Sequence, residues 1–225
     1  KTAKCAVKTM GALAEEYGYY GGNGHLGQLE PWPGTLAGEE GEALLVGDAQ
    51  GELWVFHILP GPGAAGAVWA AQRVPDNAVV VVANMFVIRT MDLSDPDFFL
   101  SSRNITGVAQ ALGFWDPAHG PFDFTAAFSG NAKATDPRKK LVNQFYSGRR
   151  VWRVFDLLAP SLHLDPDLGA LQDRETYPMA VQPDRPVTVA RLMGLYRDYY
   201  QGTPFDLTKG PAAGPYGTPN RWTTA

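Results

Sequence analysis

The feature that most narrows what this chain can fold into is the run Val79-Val80-Val81-Val82-Ala83, continued by Asn84, Met85 and Phe86. β-Branched side chains lose rotamer freedom in a helix and pack well on a pleated surface. A run with bulk on both faces needs cover on both sides, as in a sandwich or layered core. Just upstream, Val68, Trp69 and Ala70 lead through Gln72 and Arg73 to Pro75-Asp76-Asn77. Proline at the first central position of a turn, with Asp and Asn behind it, is a turn signal with a mechanism. The spacing predicts a hairpin: a strand from Ala67 to Val74, a tight turn, then a strand from Val79 to Thr90.

Two further strands precede it. Glu42 to Val46 leads through the turn Gly47-Asp48-Ala49-Gln50-Gly51 into Glu52 to Leu59. In the latter, Leu53, Val55 and His57 alternate with Trp54, Phe56 and Ile58, so both faces again carry bulk. The expected result is a four-stranded antiparallel meander that needs a layer on each face. One layer is a helix from Thr2 to Tyr17, with Ala3, Val7, Met10, Leu13 and Ala14 at helical spacing and Gly18 as its stop. Cys5 lies on or beside that face and is expected to be a small buried apolar residue. His25, in the Gly/Pro-rich loop from Gly21 to Gly41, is expected to face solvent.

After Asp92 the texture changes. Asn104 to Leu112 reads as a short helix, and Phe122, Phe124, Ala127 and Phe128 mark an irregular aromatic segment. Leu141 to Leu158 is a strong helical pattern through Val142, Phe145, Trp152, Phe155 and Leu158. Arg149, Arg150 and Arg153 lie between and are expected on a solvated or ion-paired face. Thr188 caps a last helix, Val189 to Tyr200, with Val187, Leu192, Met193, Leu195 and Tyr196 as its buried side. The chain thus divides into residues 1–92, a helix plus meander, and 93–225, helical and extended segments.

Composition excludes several classes. The 225 residues suffice for one large domain or two small ones. A net charge of −4 argues against a nucleic-acid footprint or an anionic membrane surface. No apolar run is long enough for a membrane-spanning helix. One cysteine rules out an internal disulfide and a cysteine-based zinc cluster, and the four histidines lack metal-ligand spacing. No metal or other cofactor is implied. There is no G-x-S-x-G, H-E-x-x-H, P-loop or dinucleotide fingerprint, and GGNGHLG precedes no helix that could cradle phosphate.

The residues carry more than that chemistry. The passages AVKTMGALAEEYGYYG, EALLVGDAQGELWVFHILPGPG, AVWAAQRVPDNAVVVVANMFVIRTMDLSDPDFF, RRVWRVFDLLAPSLHLDPD and YPMAVQPDRPVTVARLMGLYRDYYQGTPFDLTKGPAAGPYGTPNRW resemble, in this order, the cysteine-nucleophile dipeptidase family related to secernins. WAAQRVPD and YQGTPFDLTKGPAAGPYG are the most specific of these strings, since fold physics requires neither. The resemblance implies a branch of the N-terminal-nucleophile (Ntn) hydrolases. It implies an α+β fold, an αββα sandwich present here in part, with helices packed outside antiparallel sheets.

The family uses an N-terminal cysteine as nucleophile. This chain begins at what resembles the middle of the family, and Cys5 falls within the helix before GYYG, so it is not that nucleophile. The expectation is a central portion of one such domain, completed by companion chains, in an oligomeric assembly that acts on short peptides. Alone it would leave sheet edges unpaired and apolar faces bare. The alternative is a catalytically inactive subunit kept for assembly or binding. Compartment stays open.

The implied reaction is amide hydrolysis through a thioester, whose oxyanion needs preorganised donors. Asn84, a polar amide interrupting an apolar strand, is an oxyanion candidate or a strand-end cap. The wider superfamily places an asparagine near the start of the strand that here reads GEALLVGD. Glu42 stands there, or Asn23 if the loop is an insertion. Arg73 and Arg89 are either surface ion-pair partners or bidentate holders of a peptide carboxylate.

Overall fold

A computed structural model of the chain describes residues 2–19, 41–61, 66–129, 143–168, 177–210 and 213. They fall into two units, residues 1–135 with 178–180, and 136–177 with 181–225.

The first unit is built on Leu53–Pro60 (β2), where every residue from Trp54 to Leu59 is buried. It pairs antiparallel with Glu42–Gly47 (β1) on one side and Ala67–Arg73 (β3) on the other, opposing His57 to Ala43 and to Ala70. The pleat sends alternate side chains to opposite faces. Trp54, Phe56 and Ile58 join Trp69 and Ala71 in one cluster, closed by Ala3 and Val7 of helix α1 (Ala3–Tyr17). Val55 and Leu59 enter the other cluster with Val68, Ala70, Phe86, Ile88, Phe124 and Phe128. Each fully buried aliphatic or aromatic side chain contributes roughly 1.5–3 kcal/mol, so β2 alone accounts for much of this unit's core. The sheet is covered on both faces, as its composition requires.

Local chemistry sets the elements. Thr2 caps α1 by accepting from the Cys5 amide at 3.2 Å, and Gly18, at φ 82°, closes it with its amide on the Ala14 carbonyl. Asp48 organises the β1–β2 turn: Oδ1 accepts from the Gln50 and Glu52 amides, and Oδ2 accepts from the Ala3 amide at 2.8 Å. These bonds, led by that to Ala3, hold the Asp48 carboxyl below its ordinary range. One carboxylate thus joins the turn to the amide-rich start of α1.

The predicted strand from Val79 to Thr90 is mostly absent. Only Val79–Val80 (β4) is a strand; it forms a two-stranded ladder with the strand that opens at Ala180 (β6, Ala180–Val181). The place beside β3 goes to Phe99–Ser101 (β5), which opposes Ala70 to Ser101 and Gln72 to Phe99. The turn at Pro75 does form, with the Ala78 amide on the Pro75 carbonyl. The chain does not then return along β3, because the Arg73 amide donates to the Phe98 carbonyl instead. The valines are half-buried, and the chain beyond them enters the core as irregular backbone with Ala83, Phe86, Val87 and Ile88 buried.

Helices Ile105–Ala111 (α2) and Phe124–Phe128 (α3) supply the rest of the second face, α3 capped by the Asp123 carboxylate on the Ala126 amide. On α1, Leu13 is 49% exposed and Cys5 is exposed, so neither belongs to the buried face expected for them. The face that packs is narrower, centred on Ala3, Val7 and Gly11.

In the second unit a π-helical turn, Asn143–Gly148, runs into helix Arg149–Leu158 (α4). Of the two alternatives for these arginines, Arg149 and Arg153 take the ion-paired one, and both are buried. Arg149 pairs with Asp167 at 2.9 Å and lies 3.5 Å over the Phe205 ring. Arg153 grips both carboxylate oxygens of Asp198 at 3.0 Å and donates to Asp156 and the Gln201 carbonyl. Planar guanidinium forks suit such two-pronged contacts, and burial demands them. The last helix is shorter than expected, Val189–Tyr196 (α5), capped by Thr188, and none of its residues is buried. The expected buried side points outward, with Leu192, Met193 and Tyr196 exposed.

The fold is mixed α+β, antiparallel sheets with helices, and is compatible with an αββα sandwich. Among the described residues, no helix is long and apolar enough to cross a membrane.

Two helical glycines should respond oppositely to alanine. A Cβ at Gly11 would run into the Trp69 indole, which is stacked on Phe56 and held by Glu15. Gly11→Ala should cost about 1–3 kcal/mol by overpacking. Gly194, in α5, has nothing within 4 Å of that position. Gly194→Ala should gain about 0.5–1 kcal/mol. Urea unfolding followed by circular dichroism reads both; a stabilised Gly11→Ala would refute the α1–Trp69 packing.

Candidate functional site

His57 is the polar residue that the core of the first unit is least expected to hold. It lies mid-strand on β2, with no exposed surface. Its Nε2 accepts from the Val87 amide at 3.0 Å, so the ring is neutral with its proton on Nδ1. Nδ1 is buried and, among the described residues, has no hydrogen-bond partner. The ring lies parallel to Phe124, centroids 6.1 Å apart, and 4.8 Å from the tilted ring of Phe86. An unpaired buried N–H costs about 1–3 kcal/mol, which the apolar burial of its neighbours outweighs. Desolvation in this cage pushes the His57 pKa down to about 3.

The bond to Val87 fixes the stretch that carries Asn84. Asn84 is exposed and takes φ 52°, a left-handed conformation that asparagine adopts more readily than most residues. The backbone is held again farther on. The Ile88 carbonyl accepts from the Thr125 amide and from its hydroxyl, the latter at 2.6 Å, and the Arg89 carbonyl accepts from the Phe124 amide. Asn84 therefore sits on chain anchored to β2 on its C-terminal side.

The start of β1 adjoins this stretch. Gly41 lies so close to Phe86 that a Cβ would run into the ring. Glu42 follows, exposed at the first position of β1, opposite Ile58. The nearby Tyr19 phenol is pushed up to about 12, by burial first and by the Glu42 charge second. Asn84 and Glu42 thus lie on stretches that meet where Phe86 packs against Gly41. Arg89 lies on the same anchored stretch, its Nε donating to Asp123 at 2.7 Å. Asp123 divides its oxygens between Arg89 and the cap of α3.

Arg73 is not brought to them. It stands opposite Trp54 on β2, four residues, or about 13 Å, along the strand from Ile58. There it pairs with Asp76 at 2.8 Å and lies 5.5 Å from the Phe98 ring centre. Asn23 and His25 lie outside the described residues. Among the described residues, no group of three or more His, Cys, Asp or Glu could hold a metal ion.

Sequence reasoning placed His57 only as one bulky residue in an alternating strand. The available signal was a histidine flanked by Leu-Trp-Val-Phe and Ile-Leu, a context where only a neutral, bonded imidazole survives burial. The arrangement offers an exposed side-chain amide on anchored backbone, a carboxylate beside a phenol, and an ion-paired guanidinium. Such an amide can donate to a developing negative oxygen.

The sequence model of peptidase family C69 matches residues 1–224. A probable dipeptidase of Salmonella dublin is 31% identical over 155 residues, 69% of this chain and 32% of that protein. A dipeptidase of Bifidobacterium longum is 27% identical over 214 residues, 92% of this chain and 34% of that protein. Dipeptidase A of Lactobacillus helveticus is 22% identical over 215 residues, 96% and 36%. The chain spans about a third of the length of the curated relatives it matches.

The depressed His57 pKa has a sign that can be checked. An unfolded histidine binds a proton near pH 6.5, the folded one only near 3. The native state is therefore fully favoured above 6.5 and loses about 1.4 kcal/mol per unit as pH falls from 6.5 toward 3. Between pH 6.5 and 5, before most carboxylates titrate, unfolding free energy should drop by about 2 kcal/mol. His57→Leu should be less stable at pH 7 but show a flat profile over that interval. An equally steep profile in the variant would remove His57 as the cause.

Proposed function

This chain belongs to peptidase family C69, and on that premise we propose that it is the central portion of an Ntn-hydrolase-like domain in a cysteine-type dipeptidase. The substrate is a short unblocked peptide. The nucleophilic thiolate lies on companion polypeptide that supplies the rest of the domain, in an oligomeric assembly. It attacks the scissile carbonyl carbon, and the carbonyl oxygen becomes an oxyanion. Collapse expels the amine, which takes up a proton, and leaves a thioester that water then hydrolyses.

The observation that carries this reading is the family match along residues 1–224, with relatives described as dipeptidases at 31% and 27% identity. Cys5, the one cysteine of the sequence, supports a nucleophile elsewhere: it is exposed within α1, away from the Asn84 neighbourhood's anchored backbone.

In this scheme Asn84 donates its side-chain amide to the oxyanion. Its exposure, and the anchoring of the following residues by His57 and Thr125, suit a donor that must not reorganise during reaction. Glu42, whose stretch meets that of Asn84 at Gly41, holds the place near which the wider superfamily has an asparagine. Arg89 offers its guanidinium to the peptide carboxylate beside Asp123. Arg73, on the far side of the sheet, is the weaker choice for that role and serves the turn through Asp76.

The test is hydrolysis of unblocked dipeptides by the particle purified from its source, with the intact mass of every chain in it. A companion chain beginning with cysteine and measurable turnover are expected. Asn84→Ala should then lower kcat by about 10²–10³-fold with KM little changed. An unchanged kcat would remove Asn84 from the oxyanion site. A particle without companion polypeptide and without turnover would leave the second reading, an inactive subunit that serves assembly or binding.

A further inference from the structure

Helix α5 is inverted for an amphipathic surface helix. Its one charged residue, Arg191, turns toward the body of its unit. There Nη2 donates to the Leu157 carbonyl at 2.7 Å and Nη1 to the Arg185 carbonyl at 3.3 Å. Its apolar residues turn outward. Val189, Leu192, Met193 and Tyr196 follow the i, i+3, i+4, i+7 spacing of a single face. They are 70%, 46%, 52% and 83% exposed, and Val187, just before the cap, is 37% exposed. Single exposed apolar residues are ordinary, but a contiguous stripe on one helix marks an interaction surface. The helix is held in place by the Thr188 cap and by Arg191, so the stripe is presented on a fixed element.

We propose that this face of α5 is a docking face for the polypeptide that makes up the remainder of the family's length, which takes the helix into an apolar groove by Val189, Leu192, Met193 and Tyr196. The proposal rests on the reading that companion polypeptide completes the enzyme, and it names the surface where that polypeptide seats. Two observations choose the occupant. The matched relatives carry about three times the length spanned here, so most of a relative's chain is left to cover surfaces such as this one. The stripe itself carries no charge, Arg191 being engaged by carbonyls of its own unit, and exposed Arg197 stands at its C-cap end, so the groove is apolar along the stripe and polar or acidic at that edge.

The experiment places p-benzoylphenylalanine at position 196 in the protein produced in its source organism, irradiates the assembled particle and maps the cross-linked peptide by mass spectrometry. The expected product joins residue 196 to a peptide that continues the C69 family match beyond these 225 residues, at a yield well above that of the same probe at exposed Gln50. A cross-link to residues 1–225 of the same or a second copy, one to an unrelated protein, or none above the Gln50 level overturns the proposal. As a second arm, Leu192→Glu with Met193→Glu should keep the circular dichroism and melting temperature of the chain, since both side chains are exposed. It should lose companion polypeptide from the particle by at least about tenfold. Retention at the original stoichiometry would refute the docking face while leaving the dipeptidase reading intact; a native particle with no companion polypeptide would refute that reading as well.

Discussion

The burial of β2 on both faces is the constraint from which the first unit follows. Six consecutive residues, Trp54 to Leu59, are shut away from water. A strand in that position can exist only between two layers and between two neighbouring strands. The layers are α1 on the Trp54–Phe56–Ile58 side and the aromatic segment of residues 86–128 on the Val55–Leu59 side. His57 belongs to the second side, and its neutral ring is the price of a polar atom placed there. That same atom gives the otherwise irregular chain after the valines a fixed point, through Val87.

Much of this was legible in the sequence, and the reasons differ by element. The strands at Glu42–Gly47, Leu53–Pro60 and Ala67–Arg73 lie where alternation and turn residues put them, because adjacent antiparallel strands are decided by local pattern and short connections. Helix α1 lies where its period and terminal glycine indicate. The valine run misled. β-Propensity measures fit to a pleated, half-buried surface, and it cannot say which neighbour provides that surface. Here Phe98 and the short strand after it won the place beside β3 through backbone bonds that no pattern in 79–90 announces. The arginines of α4 were open between a solvated and an ion-paired face, and the structure takes the second for Arg149 and Arg153. A charged residue between apolar ones fits either until its partners are known, and Asp198, Asp167 and Phe205 come from distant sequence.

The candidate site divides along the same line. Asn84 stood out as an amide within an apolar run, and its left-handed backbone and its exposure are details added by the structure. Glu42 was placed by resemblance alone, and its nearness to the Asn84 stretch depends on Gly41 and Phe86, which no spacing rule connects. Arg73 and Arg89 looked alike in sequence, yet one serves a turn and the other lies beside the cap of α3. What sequence patterns could not supply in each case was the long-range partner.

The two faces of β2 also differ in when their covering chain becomes available. Among the described residues, those up to Arg73 close the side with Trp54, apart from Leu100 at its margin. The side with His57 must wait for Phe86, Phe124 and Phe128. Contacts nearer in sequence form with less loss of chain entropy. The aromatic cage of the imidazole is therefore the part of this core that closes over the longer loops, and the face against α1 is the part that closes over the shorter ones.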